Sequence, residues 1–239
     1  MADLLPLFLN LTARPVLLVG GGRVAAGKLS QLLAAGAHVR VVAPEICDEL
    51  ATVVASSGGA PQQATDRRNT RSPRHNAAVV TIAPRRFVAS DLEDVWLVVA
   101  AATPEANREV AALAEPRRIF VNAVDDPPNA TAYLSGVVRR DGITLAISTS
   151  GEAPALTALL REGLDALLPR DVATWLALAR SERTLWRRDG VPMDARKPRL
   201  LCALNDLYAR NARVTGHEVP RPAAGESVPW LSGPEDSWL

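Results

Sequence analysis

Apolar residues come in short unbroken runs through the first half of the chain and in spaced repeats through the second. Val16-Leu17-Leu18-Val19 is the first run, and it leads straight into Gly20-Gly21-Gly22. Behind the glycines Val24, Ala25, Leu29, Leu32 and Leu33 share one side of a helix, so the stretch predicts a strand, a tight turn and a helix. Gly36 ends that helix, and His38-Val39-Arg40-Val41-Val42-Ala43 reads as a second strand. Ile46, Leu50, Val53 and Val54 are in register for a helix over 46–56, stopped by Ser57-Gly58-Gly59. Val79-Val80-Thr81-Ile82 resumes a strand, and Asp91 and Leu92 open a short turn. Trp96-Leu97-Val98-Val99-Ala100-Ala101-Ala102 is a continuous apolar run, as a parallel strand buried on both faces shows. Thr103 then stands as a helix cap and Pro104 as the first helical residue. Ala106, Val110 and Leu113 mark the helix, and Ile119-Phe120-Val121-Asn122-Ala123-Val124 the next strand. Strands alternating with helices predict a parallel α/β sheet with right-handed crossovers. Residues 1–15 read as a lead-in that packs on this sheet.

The pattern changes after Asp125. Asp125-Asp126-Pro127-Pro128-Asn129 is a turn, and Tyr133–Val138 and Ile143–Ser148 are strands joined through Asp141-Gly142, a strong hairpin signal. A lone hairpin is marginal in water, so a second copy of the chain is expected to pair with it. Leu156, Leu159, Leu160, Leu164, Leu167 and Leu168 mark an amphipathic helix, and further helices follow over Val172–Trp186 and Leu200–Tyr208. The stretch 60–78 is polar and basic but has no interleaved aromatic residues, and it reads as a solvated insertion. From about Thr215 the chain is rich in Pro, Gly, Ser and Glu and predicts a disordered tail, with Trp230 and Trp238 as its only large apolar residues besides Leu and Val. The expected division is 1–121, a nucleotide-binding α/β domain; 122–152, a small β region; 153–214, a helical domain; and 215–239, the tail.

Composition narrows the classes. With 239 residues and 48% hydrophobic content a full core can form. The net charge of +1 provides no global field for nucleic acid. Cys47 and Cys202 are far apart, and with His38, His75 and His217 they make no metal-ligand spacing; a reducing compartment and no resident metal are expected. Asp3 and no Lys or Arg precedes the short apolar run Leu4–Leu9, unlike a signal peptide. No run approaches eighteen uncharged apolar residues, so a cytoplasmic, membrane-free protein is expected.

The candidate chemistry begins at the glycines. Gly20 allows the sharp turn, Gly22 has no Cβ and lets a pyrophosphate approach the backbone, and Ala25 is small enough for close helix packing. The free N–H groups of the helix start favour a phosphate, so the motif predicts dinucleotide binding. The acidic residue expected at the end of the second strand is absent; Ala43-Pro44-Glu45 stands there, and either Glu45 or backbone groups would hold the ribose. NAD is preferred over NADP. Ligands of such sheets sit beyond the strands' C-terminal ends, where Gly20, Gly22, Pro44, Thr103 and Asp125 all fall.

Taken together, Leu5-Pro6-Leu7-Phe8, Val19–Lys28, Val41-Val42-Ala43-Pro44, Ala101-Ala102-Thr103, Asn122–Pro127 and Ile147–Pro154 resemble, in this order, the precorrin-2 dehydrogenase / sirohydrochlorin ferrochelatase family, which includes the N-terminal module of siroheme synthase. The resemblance covers residues 4 to about 210. It implies a Rossmann domain, a small dimerisation region and a helical domain, in a cytoplasmic homodimer that oxidises the tetrapyrrole precorrin-2 with NAD; some members also take Fe(II) as a substrate and insert it. It assigns the catalytic aspartate to Asp125, a position near the tetrapyrrole to Thr149, and the cofactor loop to Gly20, Gly22, Arg23, Val24, Pro44 and Glu45. Two departures stand out: Ser150-Gly151 where the family commonly has Gly-Gly, and a longer polar run at 60–78.

On the residues alone Asp125 reads as a base or as a turn residue capping backbone N–H groups, and Thr149 as a substrate contact or as a helix cap. Asp126 reads as a turn residue. Among Arg117, Arg118, Arg139, Arg140 and Arg161, the last is the choice for a substrate carboxylate, because it follows the Thr149 loop. A non-catalytic module that senses NAD(H), a dehydrogenase for another small molecule and a nucleic-acid binder acting through 60–78 are the rival readings.

Overall fold

The structure, a computed structural model, describes residues 4–57 and 79–215. The readings for 60–78 and for the tail beyond Thr215 concern residues outside that set. The elements in order are β1 Pro15–Val19, α1 Arg23–Ala34, β2 His38–Val42, α2 Asp48–Ser56, β3 Val80–Ala83, β4 Leu97–Ala100, α3 Pro104–Ala114, β5 Phe120–Ala123, β6 Gly136–Arg140, β7 Ile143–Ile147, α4 Pro154–Leu167, α5 Val172–Arg188 and α6 Met193–Thr215. The chain divides into two compact units, one running to Val137 and including Ala146–Gly163, the other made of Val138–Leu145 and the residues from Leu164 on.

The first unit holds a five-stranded sheet in the order β3-β2-β1-β4-β5, parallel throughout. The unbroken apolar runs are explained by layers on both faces. Leu18, Val39, Val41 and Val99 pack with Ala25, Leu29 and Leu32 of α1. Leu17, Val19, Val98 and Val121 pack with Val110 and Ala114 of α3. Burying one such Leu or Val stabilises by about 1.5–3 kcal/mol, and a polar residue in these strands would forfeit that on whichever face it met. The strand order reverses between β1 and β4, which pair from Val16↔Leu97 to Val19↔Ala100; that switch point is where an open parallel sheet leaves a crevice.

Several places differ from expectation, among them the first strand of the hairpin, which runs Gly136–Arg140 and not Tyr133–Val138. The lead-in does not pack on the sheet: Leu5 and Phe8 are 79% and 72% exposed, and only Leu11 joins the core. The helix expected over 46–56 begins two residues later, at Asp48, because Cys47 is extended (φ −77°, ψ 163°) and caps it. The hairpin matches its signal. Asp141 and Gly142 have φ of +46° and +86°, as a two-residue turn compatible with strand twist requires.

One charged group is buried inside the first unit at some cost. Asp91 is 2% exposed. Its carboxylate accepts two 2.7 Å hydrogen bonds from Arg85 and one of 3.0 Å from the Val88 N–H, while Arg40 in β2 donates to its carbonyl at 2.5 Å. Burial by itself pushes this carboxyl up, but the Arg85 and Val88 hydrogen bonds and the charges of Arg85 and Arg40 outweigh it and hold the group below its ordinary range. The stabilisation is therefore complete above the unfolded pKa of about 4 and is lost as pH falls through the lower folded value. Arg85 is itself partly solvated, so removing its partner does not strand a fully buried cation. Asp91→Ala is expected to cost about 1–3 kcal/mol, read as a lower urea midpoint at pH 7, with the gap to wild type closing in acid.

The second unit is helical. The Trp175 indole N–H donates to the Tyr208 hydroxyl at 2.5 Å, and that hydroxyl donates to Asp171 at 2.8 Å; the rings meet edge to face at 6.3 Å. This fastens α5 to α6. Helix α6 begins seven residues before the expected Leu200 and carries Pro198 within it, where the missing N–H forgoes one helical hydrogen bond.

Candidate cofactor and substrate site

The loop Gly20–Gly22 leaves β1 at the switch point. Its first glycine has φ +128°, and a Cβ there would lie 2.2 Å from the Ala101 carbonyl oxygen, so Gly20 serves both the turn and the close approach of β4. Gly21 is as constrained: a Cβ would lie 1.9 Å from the Glu45 carbonyl oxygen and 3.0 Å from the Ala43 Cβ. The loop is laced to the end of β2 by Gly20 N–H to Val42 O at 3.0 Å and Cys47 N–H to Gly21 O at 2.8 Å. Gly22 is the opposite case. A Cβ there would meet nothing within 4 Å. It is the residue that caps α1, with no side chain to occupy the helix's first N–H groups. Those donors thus open onto free space, the arrangement that accepts a phosphate. This fits the chain to a dinucleotide on its own geometry.

Beside the loop lies a cavity of about 480 Å³, lined by Val24, Ala101, Ala102, Asn107, Arg108 and Asp125 among others. Asp125 follows β5 at φ +55°, a left-handed conformation uncommon for a residue with a side chain and frequent at functional sites. Its neighbour Asp126 is tied down instead, accepting 2.9 and 2.8 Å hydrogen bonds from the Asn129 amide, and so serves the turn. Asn107, 3% exposed, holds the cavity floor. Its Oδ1 accepts from the Ala102 N–H at 3.0 Å and its Nδ2 donates to the Val124 carbonyl at 3.4 Å, bracing the end of β4 against the residue before Asp125. Asn107→Ala leaves both backbone groups unpartnered and is expected to cost about 2–3 kcal/mol in a urea titration and to lower turnover at Asp125.

The other candidates fall as follows. Val24 lines the cavity. Thr103 caps α3, its hydroxyl accepting from the Ala106 N–H at 3.4 Å. Arg23 turns to α2 and pairs with Glu49 at 2.8 Å. Pro44 and Glu45 are exposed at the end of β2, with the Glu45 carbonyl against Gly21. Thr149 lies in the loop before α4: its hydroxyl accepts from the Ala153 N–H at 3.2 Å and sits 3.0 Å from that of Thr157. Its loop reaches the Asp125 turn through Gly151, where a Cβ would lie 3.3 Å from Pro127. Ser150 takes φ +55°, the conformation glycine adopts freely, so the departure at this position keeps the loop's path at about 1–2 kcal/mol. Arg161 is partly exposed beside Glu162 at 3.5 Å and does not line the cavity; the guanidinium that does is Arg108, 3.2 Å from Glu105. Arg117 donates to the Leu113 carbonyl at 2.6 Å, and Arg140 to the Leu168 and Asp165 carbonyls at 2.6 and 2.9 Å, both closing helix ends.

Gly21, Asn107 and Arg108 were missed in the sequence. Asn107 had a signal, since it shares the buried stripe of α3 with Val110 and Ala114; a polar residue in such a stripe has a buried partner to satisfy.

Residues 7–136 match a family described as putative NAD(P)-binding. The chain belongs to this family. The match ends at the first residue of β6 and so contains the glycine loop, the cavity and Asp125. Members of known kind bear out the resemblance read from the motifs. A siroheme synthase of Tolumonas auensis is 40% identical over 169 residues, covering 70% of this chain and 31% of that protein. Siroheme synthase 3 of Aeromonas hydrophila is 40% identical over 253 residues, covering 99% of this chain and 49% of that protein. The chain thus spans half or less of the length of these two relatives. Among solved structures SirC, a precorrin-2 dehydrogenase, superposes with a TM-score of 0.57 at 22% identity, over 86% of this chain and 92% of SirC, and shares the fold. Among the described residues no helix is long and apolar enough to cross a membrane.

Proposed function

We propose that this protein oxidises precorrin-2 to sirohydrochlorin with NAD, and that Asp125 is the base. The observation that carries the reading is the placement of Asp125: a carboxylate held at a left-handed φ, in a cavity it shares with Val24 and the end of β4 beside the phosphate-ready loop. NAD, when bound, supplies the acceptor for the hydride that leaves the substrate. The chain's own task is the proton that must leave as well. A carboxylate at the cavity wall can take it, and positioned bases are worth about 10²–10⁴-fold. Arg108 offers the cavity a donor for one of the substrate's carboxylates. The names of the relatives support the tetrapyrrole as substrate class.

Fe(II) is a second substrate in this proposal: inserting it requires pyrrole N–H protons to leave, which the same carboxylate can receive. The active form is proposed to be a homodimer in the cytoplasm. Leu156, Leu159, Leu160 and Leu167 of α4 are solvent-exposed in the single chain, and an apolar helix face of this kind suits a second copy. The division into nucleotide-binding, β, helical and tail segments is part of the same reading. The test is anaerobic incubation of the purified protein with precorrin-2, with and without NAD, followed by Fe(II). Sirohydrochlorin formed only with NAD supports the dehydrogenase, and siroheme after Fe(II) supports the chelatase. Intact NAD binding without product points to a dinucleotide-sensing module.

A further inference from the structure

A dinucleotide fold of this kind uses an acid at the end of β2 to hold the adenosine ribose, or an Arg nearby to accept a 2′-phosphate. The acid is missing here, and Ala43 and Pro44 stand in its place. What lies beside the glycine loop is the first turn of α2. The two are bonded: Cys47, the cap of α2, donates its N–H to the Gly21 carbonyl at 2.8 Å. Arg23, the first residue of α1 behind the loop, reaches across to the same turn, and its Nε meets a Glu49 carboxylate oxygen at 2.8 Å. A dinucleotide seated on the start of α1 carries its adenosine ribose to the end of β2, and so toward this pair. We propose that Glu49 sets the choice of NAD over NADP by occupying Arg23, the guanidinium that would otherwise receive a 2′-phosphate.

Three observations support this. Arg23 is the single cation of the stretches 20–24 and 44–50, set among three acids, Glu45, Asp48 and Glu49. With Arg23 paired, a phosphate arriving here meets carboxylates and no free guanidinium; Arg40 of β2 is turned to the Asp91 carbonyl. Second, Asp48 and Glu49 occupy the first turn of α2, where they offset the positive helix end that would otherwise attract a phosphate. Third, Glu49 is ionised at neutral pH: a hydrogen bond from its own N–H, and others from the Cys47 thiol and Arg23, hold its carboxyl below the ordinary range. The two side chains are 85% and 48% exposed, so the pair is weak and the discrimination it gives is modest in size.

The proposal rests on dinucleotide binding at the glycine loop and not on the reaction, so its test reads binding alone. NAD and NADP are titrated separately into the purified protein by calorimetry. Wild type is expected to bind NADP more weakly than NAD. Glu49→Gln is expected to tighten NADP about three- to tenfold, the scale of one exposed ion pair broken and one like charge removed, with the Kd for NAD unchanged. A Glu49 that only steadies α2 would move both constants together. Adding Arg23→Ala to Glu49→Gln is expected to return the ratio of the two Kd values to that of wild type, because the freed guanidinium is what takes the 2′-phosphate. Equal affinities in wild type, an unmoved ratio in Glu49→Gln, or a gain that survives Arg23→Ala overturns the proposal and leaves the NAD site standing. Binding of neither dinucleotide to wild type overturns both.

Discussion

Asp125→Asn is expected to lower the rate of precorrin-2 oxidation about 10²–10⁴-fold with NAD affinity unchanged. Asn is isosteric with Asp and tolerates the left-handed region as well, so the φ of +55° and the brace from Asn107 survive the change. Asp125 also stands apart from the glycine loop, whose contacts run to Val42, Ala43, Glu45 and Ala101. What the substitution removes is the ability to take a proton. Single-turnover absorbance with saturating NAD reads the loss, and calorimetry reads the intact site. A variant with near wild-type rate would return Asp125 to the role of a turn residue.

Gly21→Ala and Gly22→Ala are expected to fail in opposite ways. At Gly21 the new methyl would lie 1.9 Å from the Glu45 carbonyl oxygen. The obstacle is backbone, which cannot rotate away, so the loop or the end of β2 must move. That is overpacking at its severe end, about 3 kcal/mol, and NAD binding falls with it because the loop carries the phosphate-facing N–H groups. At Gly22 the methyl meets nothing in the protein. Stability should change by less than about 1 kcal/mol, the scale of a Gly-to-Ala exchange at a cap. The methyl would instead stand in the space a pyrophosphate needs, so NAD affinity drops in a folded protein. Urea midpoints beside NAD titrations check the pair. A stable, NAD-binding Gly21→Ala would contradict the packing described for the loop.

How far these features could be read from the chain depends on the distance over which each is determined. The β1–α1–β2 unit was legible because its determinants are local: a run buried on both faces, glycines, and an apolar helix face. The Asp141-Gly142 turn was legible for the same reason. Gly20 and Gly22 were picked out by motif position, whereas Gly21 was passed over because its constraint comes from Glu45, on the far side of α1 and β2. Arg161 stood out among the arginines considered because it follows the Thr149 loop in sequence, whereas Arg108, not among them, reaches the site because the cavity is assembled across elements. The lead-in was expected to pack because Leu4–Leu9 is apolar, but apolar composition cannot say whether a partner surface is free. Thr149 was balanced between cap and contact, and its hydroxyl accepts from the Ala153 N–H in the turn before α4.

The proposed oxidation is tested by the ratio of NADH to sirohydrochlorin formed when the wild-type protein is given precorrin-2 and NAD without oxygen, each product quantified after separation. One NADH for each sirohydrochlorin is expected, with both absent in Asp125→Asn on the same timescale. Sirohydrochlorin formed without matching NADH, or NAD bound with neither product made, would contradict it.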